Sequence, residues 1–190
     1  MFDAIEVIHR DHGNINRVLS VMMETVDELG GGAEEEDKLT LLYSAIYYMR
    51  LYPDRCHHPK EEKYLFAALD RRCAEARDLI RDLEAEHAEG GRLIAKLDAA
   101  LKGYDRTRWN LGQLRDAVHD YVAFQRSHMA LEESELLPLA RQTLAREEWG
   151  DLARAFTADS DPMFSENIET GYRALFDRIT RGQGSERRVA

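Results

Sequence analysis

Apolar residues recur along this chain at steps of three and four, the spacing that gathers them on one face of an α-helix. Four long patterns of this kind follow one another. The first runs from about Phe2 to Leu29, with the seam Ile5, Ile8, His12, Ile15, Leu19, Met22, Val26 and Leu29. It stops at Gly30-Gly31-Gly32, a run that no helix interior tolerates cheaply. The acidic stretch Glu34 to Asp37 then suits the positive end of a second helix dipole. The second seam reads Leu39, Tyr43, Ile46, Met49, Pro53, His57, Glu61, Tyr64 and Ala68. Pro53 and Pro59 are expected to kink or split it, because each removes a backbone donor. The third, Ile80, Leu83, His87, Gly90, Ile94, Leu97 and Leu101, ends near Gly103. The fourth, Leu111, Leu114, Val118, Tyr121, Gln125, His128, Glu132, Glu135 and Leu139, should kink at Pro138.

Short connections favour antiparallel neighbours, so the pattern predicts an all-α fold, an up-down-up-down four-helix bundle over residues 1–160. A further stripe, Ile168, Leu175, Phe176 and Ile179, predicts a C-terminal fifth helix over 161–181 packed on it. Residues 182–190 are expected to be a disordered tail.

Composition narrows the class. A chain of 190 residues with 44% hydrophobic positions can bury a core, and four Pro among abundant Ala, Leu, Glu and Arg suit helices. The formal charge of −10 speaks against a nucleic-acid partner or an anionic membrane surface, since both want a basic patch. Two cysteines, Cys56 and Cys73, are too few for a disulfide framework and fit a reducing cytosol. Asp3 and Glu6 interrupt the apolar start that a signal peptide needs, and no apolar run approaches the roughly 20 residues of a membrane span. The expectation is a soluble cytoplasmic protein.

The informative residues are the polar ones that stand where the core should be. His12, His57, His87 and His128 interrupt all four apolar stripes, and Glu61 and Glu132 follow two of them at i+4, on the same helix face. The segments His57 to Phe66 and His128 to Leu137 align without a gap: His, three residues, Glu-Glu, two residues, two large apolar side chains. A buried carboxylate without a partner costs several kcal/mol, and no Lys or Arg lies on the seams nearby. A metal cluster is the simplest counter-charge, and His plus carboxylate is the ligand set of Fe, Mn or Zn. Taken singly, the blander readings win. A lone His on an apolar stripe is usually a hydrogen-bonded core residue, and a lone His-x-x-x-Glu is usually a surface ion pair. Four interrupted seams together favour metal.

The other candidates divide. His119 lies half a turn from His128 and should face solvent, while His9 is open between ligand, ligand support and surface. His58 sits 100° from His57 yet three residues before Glu61, within reach of a second metal. Gln125 and Glu135 are placed to orient ligands, although Glu135 equally suits the wet end of the bundle. Cys56 is a soft-ligand candidate whose blander reading is a small buried hydrophobe, and Trp109 and Trp149 read as packing.

These residues together resemble the hemerythrin-like, His-His-Glu cation-binding domains. The likeness rests on Ile8-His9-Arg10-Asp11-His12, on His57-His58-Pro59-Lys60-Glu61-Glu62 with Leu65-Phe66, on Glu86-His87, and on His128 to Glu133 with Leu137-Pro138. The resemblance implies a four-helix bundle holding a non-haem di-iron centre, bridged by two carboxylates and an oxo or hydroxo group. Carried over, His12, His57, Glu61, His87, His128 and Glu132 match the family's ligands, and His58 takes a place that is a ligand in some relatives. The oxygen carriers of the family have a second third-helix His where this chain has Leu83, and an Asp ligand where it has the His128 and Glu132 pair. The chain looks closer to the bacterial members linked to nitric oxide and oxidative stress, including the iron–sulfur repair type, without their additional N-terminal domain. The ferritin-like alternative fails, because Glu84-x-x-His87 fits once but Asp116 and His119 lie off the seam.

Five imidazoles and two bridging carboxylates leave one position open on a pair of six-coordinate irons that share an oxygen, or two if His58 stands apart. The expected ligand is dioxygen, nitric oxide or peroxide. A binding or sensing module, an enzyme acting on peroxide or nitric oxide, and an iron donor for cluster repair all follow from such a site. A structural bundle with stabilising histidines is the weakest reading. A sensor would signal through a protein partner on the fifth helix.

Overall fold

The structure is a computed structural model and describes residues 4–30, 32, 34–158, 161–164 and 172–186, the last six of these in backbone only. It is all-helical, with no strand among the described residues. Helix α1 (Ala4–Asp27) ends at Gly30, whose φ of 141° only glycine adopts without strain. Arg115 donates to the carbonyls of Val26, Asp27 and Leu29, satisfying acceptors that the helix end leaves open. Helix α2 (Glu35–Leu51) starts on Glu35, Glu36 and Asp37.

Past α2 the helix is distorted rather than split, one of the two courses expected at Pro53 and Pro59. Instead of breaking at Pro53 and Pro59 it stays helical through a π turn (Pro53–His57), a single α turn, α3 (His58–Lys60), a second π turn (Glu61–Phe66) and α4 (Ala67–Arg72). The widened turns absorb the prolines. The Tyr52 carbonyl accepts from both Cys56 and His57 at 3.0 Å, and the His58 amide reaches back five residues to Pro53. After a 3-10 turn (Ala74–Ala76) come α5 (Arg77–Thr107) and α6 (Leu111–Leu131). A third π turn (Glu132–Leu136) precedes α7 (Leu137–Thr143), and here the Leu137 amide bonds the Glu132 carbonyl just ahead of Pro138. Wide turns of this kind inside helices concentrate at functional sites.

Helix α1 packs on α2 and α6, and α5 packs on the same two. Two apolar clusters fill the space between them. One gathers Ala4 to Ile8, Leu65 to Cys73, Ile80, Leu83 and Leu136 to Leu144; the other gathers Ile15 to Leu29, Leu39 to Tyr52, Ile94 to Tyr104 and Leu114 to Met129. Helices α1 and α5 run from the first cluster to the second, and α2 to α4 and α6 to α7 run back. Helix α8 (Arg146–Thr157), which none of the four long seams anticipates, closes the first cluster with Leu152 and Phe156.

The C-terminal helix differs from expectation at both ends. Residues 162–164 form a turn, because Asp161 Oδ1 accepts from the Met163 and Phe164 amides and holds the chain out of helix. Helix α9 then covers Arg173–Glu186, running on past Gly182 where a tail was expected, and lays Leu175 and Ile179 on the second cluster. Ile168 and residues 187–190 lie outside the described residues. Trp109, expected to pack, is 76% exposed, whereas Trp149 packs against the first cluster. No helix among the described residues is long and apolar enough to cross a membrane.

Candidate metal centre

Between the two apolar clusters each long helix contributes polar side chains to one layer. Helix α1 passes from Ile8 through Asp11 and His12 to Ile15; α5 passes from Leu83 through His87 and Gly90 to Ile94. The two π-turn regions supply the rest: His57, His58 and Glu61 on one strut, His128 and Glu132 on the other. The six residues singled out on the seams therefore come together, and His58 joins them. Gly90 lets α5 approach α6 at this level, since a Cβ there would stand 3.0 Å from Gln125 Nε2.

Three overlapping groups have ligand atoms close enough to share a metal ion: His12, His57 and Glu61; His58, His87 and His128; and Glu61, His87 and Glu132. The carboxylates join the two histidine groups. Glu61 turns Oε1 to His57 Nε2 (3.1 Å) and His12 Nε2 (3.8 Å), and Oε2 to His87 Nε2 (3.7 Å). Glu132 turns Oε2 to His12 Nε2 (3.3 Å) and Oε1 to His128 Nε2 (3.5 Å) and His87 Nε2 (3.9 Å). His87 Nε2 and His128 Nε2 converge to 3.1 Å, and the His58 ring stacks on His87 at 4.2 Å.

The outward ring nitrogens meet carboxylates that the seam pattern does not single out. His12 Nδ1 donates to Glu133 (2.9 Å), His87 Nδ1 to Glu62 (2.8 Å) and His128 Nδ1 to Glu86 (2.8 Å). His57 Nδ1 lies 3.4 Å from Asp11 and His58 Nδ1 3.8 Å from Asp54. A carboxylate can only accept, so it fixes the proton on Nδ1 and leaves the Nε2 lone pair facing inward. The signal was present in the sequence as adjacency: Asp11-His12, Glu61-Glu62, Glu86-His87, Glu132-Glu133, and Asp54 four residues before His58.

The groups also pull on one another's protons. Burial pushes His12 down, but Glu132, Glu133 and Glu61 together hold it well above the ordinary imidazole range. Burial likewise opposes charge on His57, and Glu61 and Asp11 overcome it, raising the ring to about 9. His58 goes the other way: burial and the neighbouring His87 press it well below its usual value, toward the neutral form a metal ligand needs. Burial works against ionising Glu61, but His57 and His12 keep it ionised far into acid. Burial raises Asp54 to about 6. Even so, His12 Nε2, both ring nitrogens of His57, Glu61 Oε2 and both oxygens of Glu132 are buried without a hydrogen-bond partner. All of these but His57 Nδ1, which faces Asp11, point into the layer, and unsatisfied polar atoms that converge in this way are the donor set of a cation.

The remaining candidates fall outside the layer. His119 is exposed and pairs with Asp27 at 3.2 Å. His9 is exposed at a cavity of about 530 Å³ that His12, Asn16, Arg126, Met129 and Glu133 also line. Gln125 is buried but bonds the Tyr121 hydroxyl at 3.2 Å, and Glu135 is exposed, which removes it from ligand support. Cys56 packs against the second apolar cluster, and neither cysteine is in a disulfide.

A family model of the hemerythrin HHE cation binding domain matches residues 3–140. Among curated proteins the chain is 24% identical over 180 residues to the uncharacterized protein Rv1995 of Mycobacterium tuberculosis, and equally to the uncharacterized protein Mb2018 of Mycobacterium bovis. Each alignment covers 93% of this chain and 67% of the relative.

Proposed function

Because the chain belongs to the hemerythrin HHE cation-binding family, we propose that it holds two iron ions and takes up a small ligand, dioxygen, nitric oxide or peroxide, in oxidative or nitrosative stress. The observation that carries this reading is the division of Glu61 and Glu132, each with one oxygen toward His12 and one toward His87. In this reading His12 and His57 would hold one ion and His58, His87 and His128 the other, with Glu61 and Glu132 facing both histidine groups. Iron suits imidazole with carboxylate, and when bound it supplies the redox chemistry toward such ligands. The alternating run of α1, α2, α5 and α6 is read as an up-down-up-down bundle with α9 lying on its side.

What the chain's own residues do follows from their surroundings. Glu133, Glu62 and Glu86 hold three imidazoles in one tautomer and orientation. The apolar clusters above and below exclude water, which strengthens every charge interaction in the layer. The two-histidine side has fewer nitrogen donors, and the cavity lined by His12 opens on that side. A small ligand is expected to approach there.

The test is metal content with the optical spectrum of protein from iron-supplied cells. About two irons per chain, with near-ultraviolet bands that change on adding nitric oxide or peroxide, support the reading. One zinc, or a spectrum indifferent to both ligands, rejects it.

A further inference from the structure

From the metal layer to the surface, aromatic side chains stand in single file. Between ring centroids, Tyr52 lies 6.4 Å from His57, Tyr48 5.9 Å from Tyr52, Tyr172 6.0 Å from Tyr48, and Tyr47 5.7 Å from Tyr172. Tyr52, Tyr48 and Tyr172 are buried, whereas Tyr47 is 56% exposed. The two inner phenols donate to buried carboxylates, Tyr52 to Asp11 Oδ2 and Tyr48 to Asp161 Oδ2, each at 2.8 Å. Asp11 is also the carboxylate facing His57, so the file begins at a residue of the site.

Two physical facts make this arrangement more than packing. Electron transfer weakens steeply with distance, so neighbouring rings carry an oxidising equivalent farther than one long jump. A phenol gives up an electron readily only when its proton can leave as well, and a hydrogen-bonded carboxylate takes that proton. Phenylalanine would fill the same apolar space, so what the phenols add is two hydroxyls aimed at buried carboxylates.

We propose that Tyr52, Tyr48, Tyr172 and Tyr47 form a path that carries oxidising equivalents, produced by peroxide at the metal site, out to a one-electron donor at Tyr47. This deepens the peroxide reading above and rests on it. The balance is that of a peroxide reduction: one hydrogen peroxide and two tyrosines become two waters and two neutral tyrosyl radicals. Each phenol supplies one electron and one proton, and Asp11 and Asp161 hold the protons of Tyr52 and Tyr48 in transit. Tyr52 is refilled from Tyr48, and each recovers its proton from its own carboxylate. The Tyr172 ring bridges Tyr48 and Tyr47 without holding the radical. Tyr47, whose proton exchanges with solvent, takes a hydrogen atom from a donor there, for which ascorbate is the probe.

The experiment uses the full iron-loaded chain, mixed with hydrogen peroxide and freeze-quenched for electron paramagnetic resonance. A parallel sample is labelled with a spin trap and its peptides are mapped by mass spectrometry. A tyrosyl signal and a trap adduct on Tyr47 are expected. Tyr48→Phe should cut the Tyr47 adduct by about tenfold or more while leaving iron content and the peroxide-induced optical change in place. Tyr47→Phe, at the surface where the fold is not at stake, should abolish that adduct and slow the decay of the radical with ascorbate. Tyr43→Phe is the control, since that phenol bonds Asp105 away from the file. Undiminished Tyr47 labelling in Tyr48→Phe, or a full peroxide response without any tyrosyl signal, overturns the path alone. A chain that takes up no iron overturns the metal reading and the path with it.

Discussion

Removing the metal should take a large part of the molecule's stability with it. His12 Nε2, both ring nitrogens of His57, Glu61 Oε2 and both oxygens of Glu132 are buried in the layer without hydrogen-bond partners. Leaving out His57 Nδ1, which faces Asp11, each such atom costs about 1–3 kcal/mol, so the other five represent on the order of 5–15 kcal/mol before relaxation. A whole domain is stable by only about 5–15 kcal/mol. Part of the penalty is recovered when protons replace metal, because the His57–Glu61 contact at 3.1 Å and the His12–Glu132 contact at 3.3 Å become ion pairs. Crediting about 1.5–3 kcal/mol to each of the two pairs leaves roughly 2–9 kcal/mol, a net loss on the order of 5 kcal/mol. At about 2–4 °C per kcal/mol for a chain of this length, Tm should fall by roughly 10–20 °C. The assay is reduction, chelation and a calorimetric melt at fixed pH and protein concentration, followed by return of iron. A chelated chain that melts within about 2 °C of the loaded one would rule out a cation as the partner of these atoms. It would mean that the imidazoles and carboxylates satisfy one another without a cation.

Three further outcomes are expected. Asp11→Asn keeps the shape but removes the charge behind His57 and Tyr52, so metal affinity should weaken about 10–100-fold, or about 1.4–2.7 kcal/mol, by competition against a chelator; Glu135→Gln, exposed, should change nothing. His58→Ala deletes one of three imidazoles on its side and should lower iron from about two to about one per chain, with His119→Ala retaining both; equal metal content in the two variants counts against His58 as a ligand. Burial lowers His57 and Glu61 with Asp11 more than offset it, so the metal-free ring titrates at about 9 against an ordinary 6.5. A raised pKa contributes its stability in full below 6.5 and loses it as pH climbs through 9. Melts of chelated protein should therefore fall across that window while loaded protein stays nearly level, and a flat chelated profile would contradict the pairing.

The long helices and six of the layer residues, all but His58, were legible because both follow the helical period, which survives in sequence whenever a helix is long. Departures from that period were not. Pro53 and Pro59 read as a kink or a split and Pro138 as a kink, but the form of the distortion was hidden, since a sequence does not show that the amides of His58 and Leu137 will reach back to Pro53 and Glu132. The same widening explains His58. In an unbroken α-helix it would stand 100° from His57. Here, past the π turn, its imidazole joins His87 and His128. The supporting carboxylates were hidden for another reason. Glu62 and Glu133 keep 43% of their side chains exposed, so hydropathy treats them as solvated surface although one oxygen of each is committed to a histidine. Asp161 was hidden by distance, because its partners Tyr48 and Asn14 lie on the first two helices, far away in sequence.

The placement of the layer argues that it selects the packing as well as binding the ion. Along α1 the residues on either side of His12 are Ile8 and Ile15, and along α5 those around His87 are Leu83 and Ile94. If a helix slid by one turn, these apolar side chains would meet others of similar size, and such swaps typically cost under about 1.5 kcal/mol. The histidines and glutamates have no such freedom. A one-turn slide carries an imidazole into a leucine cluster and strands its carboxylate partners. With metal bound, only one register satisfies every donor; without it, the apolar seams still hold helices together but discriminate weakly among registers. Chelated protein should therefore keep most of its far-ultraviolet dichroism while losing near-ultraviolet signal from Tyr48, Tyr52 and Tyr121, which pack beside the layer. Near-ultraviolet spectra that superimpose with and without metal would show that the apolar seams alone fix the register.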